Sequence, residues 1–261
     1  MARALRCVPG EGLGNTFLLA LEGDVVRSGL DAGELARRVC GQDTDGLLVL
    51  GAGRGGGPPR LRVLNRDGSV GGTCLNGLRV AAVHAGEPAG AFEMDGRVVA
   101  WARREGGLVE LHLRAEDLPA ALPAQALELA SGHRGVPVPF WNPHCVVPVA
   151  ELDGLDLEAL ARSAAAYSEV FPEGVNLEAI AERPDGGLRM RVWERGVGET
   201  RACGSGAVAV ALLAWSDHPA PRPLVVEMPG GVLVLSPAPA DRGGLLLAGP
   251  ATVGEPVGIP L

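Results

Sequence analysis

Two stretches of this chain are written in the same frame. Arg191-Val-Trp-Glu-Arg195 is followed by seven residues and then by Cys203-Gly-Ser-Gly206, and Arg62-Val-Leu-Asn-Arg66 is followed by seven residues and then by Cys74-Leu-Asn-Gly77. Both copies run on into small and aliphatic residues, over 78–83 and 207–214. Further along, Phe92-Glu-Met-Asp-Gly-Arg-Val98 resembles Val226-Glu-Met-Pro-Gly-Gly-Val232, and a weaker echo pairs Asn15-Thr-Phe-Leu-Leu19 with Asn142-Pro-His-Cys-Val-Val147. Two copies are too few for a solenoid. They predict two pseudo-symmetric lobes, residues 1–118 with Cys74 and 119–248 with Cys203, the tail 249–261 being free to return to the first. The Pro/Ala-rich stretch 118–126 is the expected crossing.

Outward from the repeat, the chain reads as strand-rich. Short apolar or alternating runs bounded by turn residues predict strands at 46–50, 61–64, 98–101, 108–113, 145–149, 188–193, 225–228, 232–235 and 245–248. The spacing predicts amphipathic helices over 32–40 and 156–168. The segments after Cys74 and Cys203 read as helices apolar all round, which must be buried on every side. A curled, barrel-like sheet around one such helix in each lobe satisfies that demand, so the fold class is α/β (α+β).

Composition narrows the chemistry. The chain has 261 residues, 47% hydrophobic and 21% charged, enough for a sizeable core. A net charge of −8 without a basic stripe argues against nucleic acid and anionic membranes as partners. The first ten residues lack the basic start and apolar run of a signal peptide, and no apolar stretch approaches membrane-spanning length, so a soluble cytoplasmic protein is expected. Every basic residue is arginine; with no lysine, neither a pyridoxal-phosphate Schiff base nor a Walker A loop can be built. The five cysteines, Cys7, Cys40, Cys74, Cys145 and Cys203, are odd in number and form no CxxC, which argues against a disulfide framework or a four-ligand zinc site. The expected cofactors and metals are none.

The chemistry lies in the repeated cysteines. Gly68–Thr73 and Gly196–Ala202 are turn-like, so a helix should begin near each cysteine. The first backbone N–H groups of a helix have no partner within it and carry about half a positive charge in effect. Such a start stabilises a thiolate and offers a socket for a carboxylate. Two equivalent starts facing one substrate would place a thiol on each side of its α-carbon, and proton removal by one with proton return by the other inverts the centre. A lone cysteine is more often a small buried hydrophobe, which is the reading kept for Cys7, Cys40 and Cys145.

The run Glu194-Arg-Gly-Val-Gly-Glu-Thr-Arg-Ala-Cys-Gly-Ser-Gly-Ala207 closely resembles the second-cysteine motif of the diaminopimelate epimerase family. Gly12-Leu-Gly-Asn-Thr-Phe17, Asn65-Arg-Asp-Gly-Ser69, Asn142-Pro-His144, Phe171-Pro-Glu-Gly-Val-Asn176 and Pro229-Gly-Gly231 look like its other motifs, in the family's order. The resemblance implies interconversion of LL- and meso-diaminopimelate without a cofactor, in a homodimer. It implies Cys74 and Cys203 as the acid/base pair, and amides of Leu75, Asn76, Gly204 and Ser205 holding the reacting carboxylate. It also implies that Asn15, Asn65, Asn142, Asn176 and Arg195 bind polar groups of the substrate, with Glu194 and His144 tuning the thiols or holding the reacting amine. Without the family, Asn15 and Asn176 read as turn formers, Arg195 as a salt-bridge partner in a frame shared with Arg66, and His144 as a solvated loop residue.

Two positions depart from the family pattern. Leu75 stands where glycine usually follows the first cysteine, and Trp141 precedes Asn-Pro-His where glycine is common. A glycine at 75 could mean a positive φ or close approach of substrate. The favoured account is an ordinary first helical residue with negative φ, whose side chain reaches toward the cleft rim. The enzyme alternative is a cofactor-free racemase of another amino acid such as histidine. The alternative from another class is a binding or thiol-redox protein.

Overall fold

A computed structural model describes residues 4–123, 125–216, 218 and 221–261. The chain divides into two compact units, Met1–His112 with Gly249–Leu261, and Leu113–Ala248.

The first unit is built on a strand ladder. Ala4–Gly12 pairs antiparallel with Asn15–Leu21, which pairs parallel with Gly46–Gly51. That strand pairs antiparallel with Arg60–Asn65, which meets Ala89–Met94 in parallel. Antiparallel pairings with Arg97–Arg103 and then Leu108–Leu113 follow. The tail strands Thr252–Val253 and Val257–Pro260 pair with Ala4–Gly12 on its other side. Helices α1 (Glu22–Ser28) and α2 (Ala32–Val39) fill the parallel crossover. Asp31 starts α2 by accepting from the Glu34 N–H at 2.9 Å. Helix α3 (Leu75–Ala85) fills the next crossover.

The second unit repeats the order and sense of these pairings. Arg134–Phe140 pairs antiparallel with Asn142–Pro148, which pairs parallel with Asn176–Glu182. Leu188–Glu194 follows antiparallel, then Leu224–Met228 in parallel, then Gly231–Pro237 and Leu245–Pro250 antiparallel. Helix α4 (Leu157–Ala165) fills the first crossover and α5 (Gly204–Trp215) the second. The register agrees with the sequence repeat: Leu64 faces Leu47 as Trp193 faces Leu177, which makes Asn65 the counterpart of Glu194.

In each unit the sheet is buried on both faces, as parallel pairing demands. One face meets the outer helices. In the first unit Leu18, Ala20, Leu47 and Val49 pack with Leu35 and Ala36 of α2. In the second, Val147, Leu177, Ala179 and Ala181 pack with Leu157, Leu160 and Ala164 of α4. The other face receives α3 or α5, whose first eight residues are all buried. The architecture is therefore mixed α/β with a large sheet that does not close into a barrel. The expectation that both central helices are apolar all round holds for α5 and fails for α3, which carries the fully buried Arg79.

Several strands escaped the sequence reading: Ala4–Gly12, Asn15–Leu21, Ala89–Met94, Arg134–Phe140 and Asn176–Glu182. Their glycines, prolines and polar residues hide the period. The short helix α1 was also not expected. Among the described residues no helix is long and apolar enough to cross a membrane.

Candidate active site

Both cysteines cap helices. Cys74 is the N-cap of α3, extended at φ −122° and ψ 102°, and its Sγ accepts from the Gly77 N–H at 3.3 Å. Cys203 is the N-cap of α5, at φ −130° and ψ 113°, and its Sγ accepts from the Gly206 N–H at 3.4 Å. The glycine of Cys-x-x-Gly is thus the third helical residue, whose N–H a capping side chain reaches. A thiol in that place leaves the two preceding amides, Leu75 and Asn76 or Gly204 and Ser205, without an intrahelical acceptor.

The glycines also let each helix start lie against the sheet. A Cβ at Gly77 would come within 2.9 Å of Leu48 Cδ2, and one at Gly206 within 2.6 Å of Glu178 Oε1. Glu178 was not singled out from the sequence. It belongs to Asn176–Glu182, whose alternation puts Leu177, Ala179 and Ala181 on the outer face and Glu178 on the α5 face. It is fully buried and its Oε1 meets His144 Nδ1 at 2.7 Å. Among the described residues, His144 Nε2 and Glu178 Oε2 are buried without a hydrogen-bond partner. The signal available in the sequence was an acidic residue amid the apolar run Leu177–Ala181, a position that rarely holds a charge without a reason. His144 is consequently a buried partner of a carboxylate, not a solvated loop residue.

Glu194 ends its strand beside this pair. It accepts from the Thr200 hydroxyl, and its charge acts on the Cys203 thiol. Burial holds its carboxyl above the usual range. Burial, Glu194 and Glu178 together push the Cys203 thiol well above its ordinary value, against the contributions of Ser205 and the Gly206 amide. The expectation that a helix start lowers a cysteine's pKa is therefore reversed at Cys203: in a buried site, desolvation and two carboxylates outweigh one helix terminus.

In the first unit Asn15 begins its strand directly after the turn residues Leu13 (φ 57°) and Gly14 (φ 80°). Its Oδ1 accepts from Asn76 Nδ2, and Asn76 Oδ1 in turn accepts from Arg79 Nη2 at 2.8 Å. Asn65 ends its strand and donates to Ser69 Oγ at 2.9 Å. In the second unit Asn142 and Asn176 begin neighbouring strands, and Asn176 Oδ1 accepts from the Arg195 N–H at 2.8 Å. The Arg195 side chain is partly exposed and donates to the Glu173 carbonyl. Its repeat mate Arg66 likewise donates to a main-chain carbonyl, that of Gln42, at 2.8 Å.

The two departures resolve differently. Leu75 has no positive φ as the first residue of α3, so an ordinary residue fits the backbone there, and its side chain is buried. Trp141 does sit at φ 45°, a conformation glycine adopts freely, and its indole stacks on Phe140 with ring centroids 4.6 Å apart. Cys7, Cys40 and Cys145 are buried within the cores, and burial pushes their thiols to about 12, 11 and 12.

The geometry meets known proteins at this point. Residues 140–253 match the family model described as diaminopimelate epimerase. The chain is 34% identical to the diaminopimelate epimerase of Synechococcus sp. (strain JA-2-3B'a(2-13)), covering 92% of this chain and 93% of that one. It is 34% identical to that of Desulforudis audaxviator, covering 92% and 94%. Among solved structures, a hydroxyproline epimerase from Agrobacterium vitis with bound trans-4-OH-L-proline superposes with a TM-score of 0.70 at 14% identity, covering 98% of this chain and 91% of that one. A PhzF-family phenazine biosynthesis protein from Bacillus anthracis does so with a TM-score of 0.70 at 15% identity, covering 99% and 100%. These distant structures share the fold, and the close sequence relatives carry the rest: the chain belongs to the diaminopimelate epimerase family.

Proposed function

We propose that this protein interconverts LL- and meso-diaminopimelate, on the way to lysine and peptidoglycan precursors, by moving one α-proton between Cys74 and Cys203. The observation that carries the reading is the repeated cap: a cysteine at the N-cap of each central helix, its sulfur on the third amide. One thiolate takes the α-proton while the other cysteine, as a thiol, gives a proton to the opposite face. The amides of Leu75, Asn76, Gly204 and Ser205 hold the carboxylate on which charge develops, the preorganised stabilisation this weakly acidic proton needs.

The remaining residues divide by distance from the reacting carbon. Asn15, Asn65, Asn142, Asn176 and Arg195 bind the carboxylate and ammonium of the distal centre. Glu194 and His144 stand at the reacting amine. With Nδ1–H donating to Glu178, His144 Nε2 is left as an acceptor for the α-ammonium group. The reaction needs no cofactor in this scheme, since the thiols move the proton and the amides carry the charge. The same reading makes the protein a cytoplasmic homodimer, which sedimentation at working concentration checks.

The test is solvent exchange. In D₂O the purified protein, dialysed against chelator, should place deuterium on the α-carbon of both diaminopimelate isomers and bring them to equilibrium. Exchange with another amino acid, such as histidine, and none with diaminopimelate would move the substrate assignment. No exchange with any amino acid would leave a binding or redox protein.

A further inference from the structure

Resting on the reading of Cys74 and Cys203 as an acid/base pair, we propose that the two are unequal before substrate arrives. Arg79 is a positioning residue whose buried guanidinium holds Cys74 as the resting base, and Cys203, enclosed by Glu194 and Glu178, rests as the acid.

The repeat makes the comparison position by position. Leu19 pairs with Leu48 as Val146 pairs with Glu178, so Leu48 under α3 corresponds to Glu178 under α5. Phe17 opposite Gly46 corresponds to His144 opposite Asn176. Asn65 corresponds to Glu194, and Arg79 of α3 to Val208 of α5, each two residues after its Cys-x-x-Gly glycine. Phe17, Leu48 and Asn65 of the first unit therefore stand where the second unit has His144, Glu178 and Glu194, and the Cys74 N–H meets Met94 Sδ at 3.2 Å. Two carboxylates, Glu194 and Glu178, act on Cys203, where the cation Arg79 acts on Cys74.

Arg79 is 0% exposed. Its hydrogen bonds run to neutral acceptors: Asn76 Oδ1 at 2.8 Å, and the Leu75 and Pro250 carbonyls at 3.4 Å each. Among the described residues no carboxylate pairs with it; the ionisable side chain that favours its charge is Cys74, while burial pulls it down to about 10. A buried cation is costly unless an anion compensates it, and attraction of this kind is reciprocal: what Cys74 does for the guanidinium, the guanidinium does for the thiolate. The same side chain orients Asn76, and through it Asn15, so one residue sets both the charge of the base and the groups beside it. At Cys203 the neighbouring charges have the opposite sign and oppose ionisation.

Single-thiol proteins test this without substrate, so the outcome is independent of which amino acid is epimerised. The ultraviolet thiolate band is titrated in Cys203→Ala, which keeps Cys74, and in Cys74→Ala, which keeps Cys203. Cys7, Cys40 and Cys145, held at about 12, 11 and 12, stay silent through the lower range. The Cys74 thiolate should appear at least about one pH unit below that of Cys203, a tenfold difference in thiolate fraction at a given pH. Adding Arg79→Met to Cys203→Ala should move the Cys74 midpoint up by a similar amount, and Arg79→Lys should restore most of the shift. Equal midpoints, or Cys203 ionising first, would overturn the assignment of base and acid. A Cys74 midpoint unmoved by Arg79→Met in a protein whose circular dichroism is unchanged would overturn the role of Arg79. If Arg79→Met does not fold, the comparison of the two single-thiol proteins and the Arg79→Lys titration still decide the question.

Discussion

At the residue scale, a sulfur caps each central helix. Serine or aspartate is the usual choice for an N-cap, and a thiol accepts that hydrogen bond less well. Cysteine in this place on both α3 and α5 therefore reflects what a thiol can do besides capping. In the proposed mechanism, replacing either by alanine removes an acid/base group that commonly contributes about 10²–10⁴-fold. Cys74→Ala and Cys203→Ala should each cut diaminopimelate epimerisation by at least about a hundredfold, measured as loss of α-proton exchange. Cys145→Ala should leave it within about threefold, because Cys145 lies in the outer core against α4. A Cys145→Ala protein as inactive as the other two would show that the wrong pair has been chosen.

At the element scale, each central helix starts close to its sheet at a glycine, but against different neighbours. Alanine at Gly77 meets the tip of a leucine, Leu48 Cδ2 at 2.9 Å, which can turn aside. Alanine at Gly206 meets Glu178 Oε1 at 2.6 Å, Cγ at 2.9 Å and Cδ at 3.0 Å, and that side chain is tied to His144. Gly206→Ala should therefore cost more, about 1–3 kcal/mol in urea unfolding as overpacking commonly does, and should depress activity by displacing the Glu178–His144 pair. Gly77→Ala should fall below it on both measures. Equal effects in the two variants would mean that Glu178 gives way as easily as Leu48.

For the whole molecule, the buried thiols predict how stability responds to alkali. Cys145 ionises near 9.0 in the unfolded chain and near 12 in the fold, where burial is the first cause and Glu178 the second. A group whose folded pKa is raised contributes stability fully present below the unfolded value and lost as pH rises through the folded one. Above about pH 9 the unfolding free energy should fall by about 1.4 kcal/mol per pH unit for each such thiol. Cys145→Ala should shallow that slope by one thiol's share, whatever it does to stability at neutral pH, as read from urea midpoints at a series of pH values. An unchanged slope would mean that Cys145 ionises as readily in the fold as in the unfolded chain.

What the sequence by itself determined was whatever depends on order along the chain. The paired frames Arg62 to Gly77 and Arg191 to Gly206 disclosed the repeat, the helix starts and both thiols, because capping and periodicity are local. The mixed α/β class followed from the alternating runs, and the missing lysine removed whole chemistries. Tertiary structure decided what depends on neighbours distant in sequence. Glu178 meets His144 only because parallel pairing sets Val146 against Glu178. Arg79 lies in a helix that reads as apolar all round, and only burial and its bond to Asn76 give it a place there. The shift of the Cys203 thiol is upward where a helix start alone would lower it: the start is visible in the sequence, but the carboxylates and the dry surroundings that outweigh it are brought there by the fold.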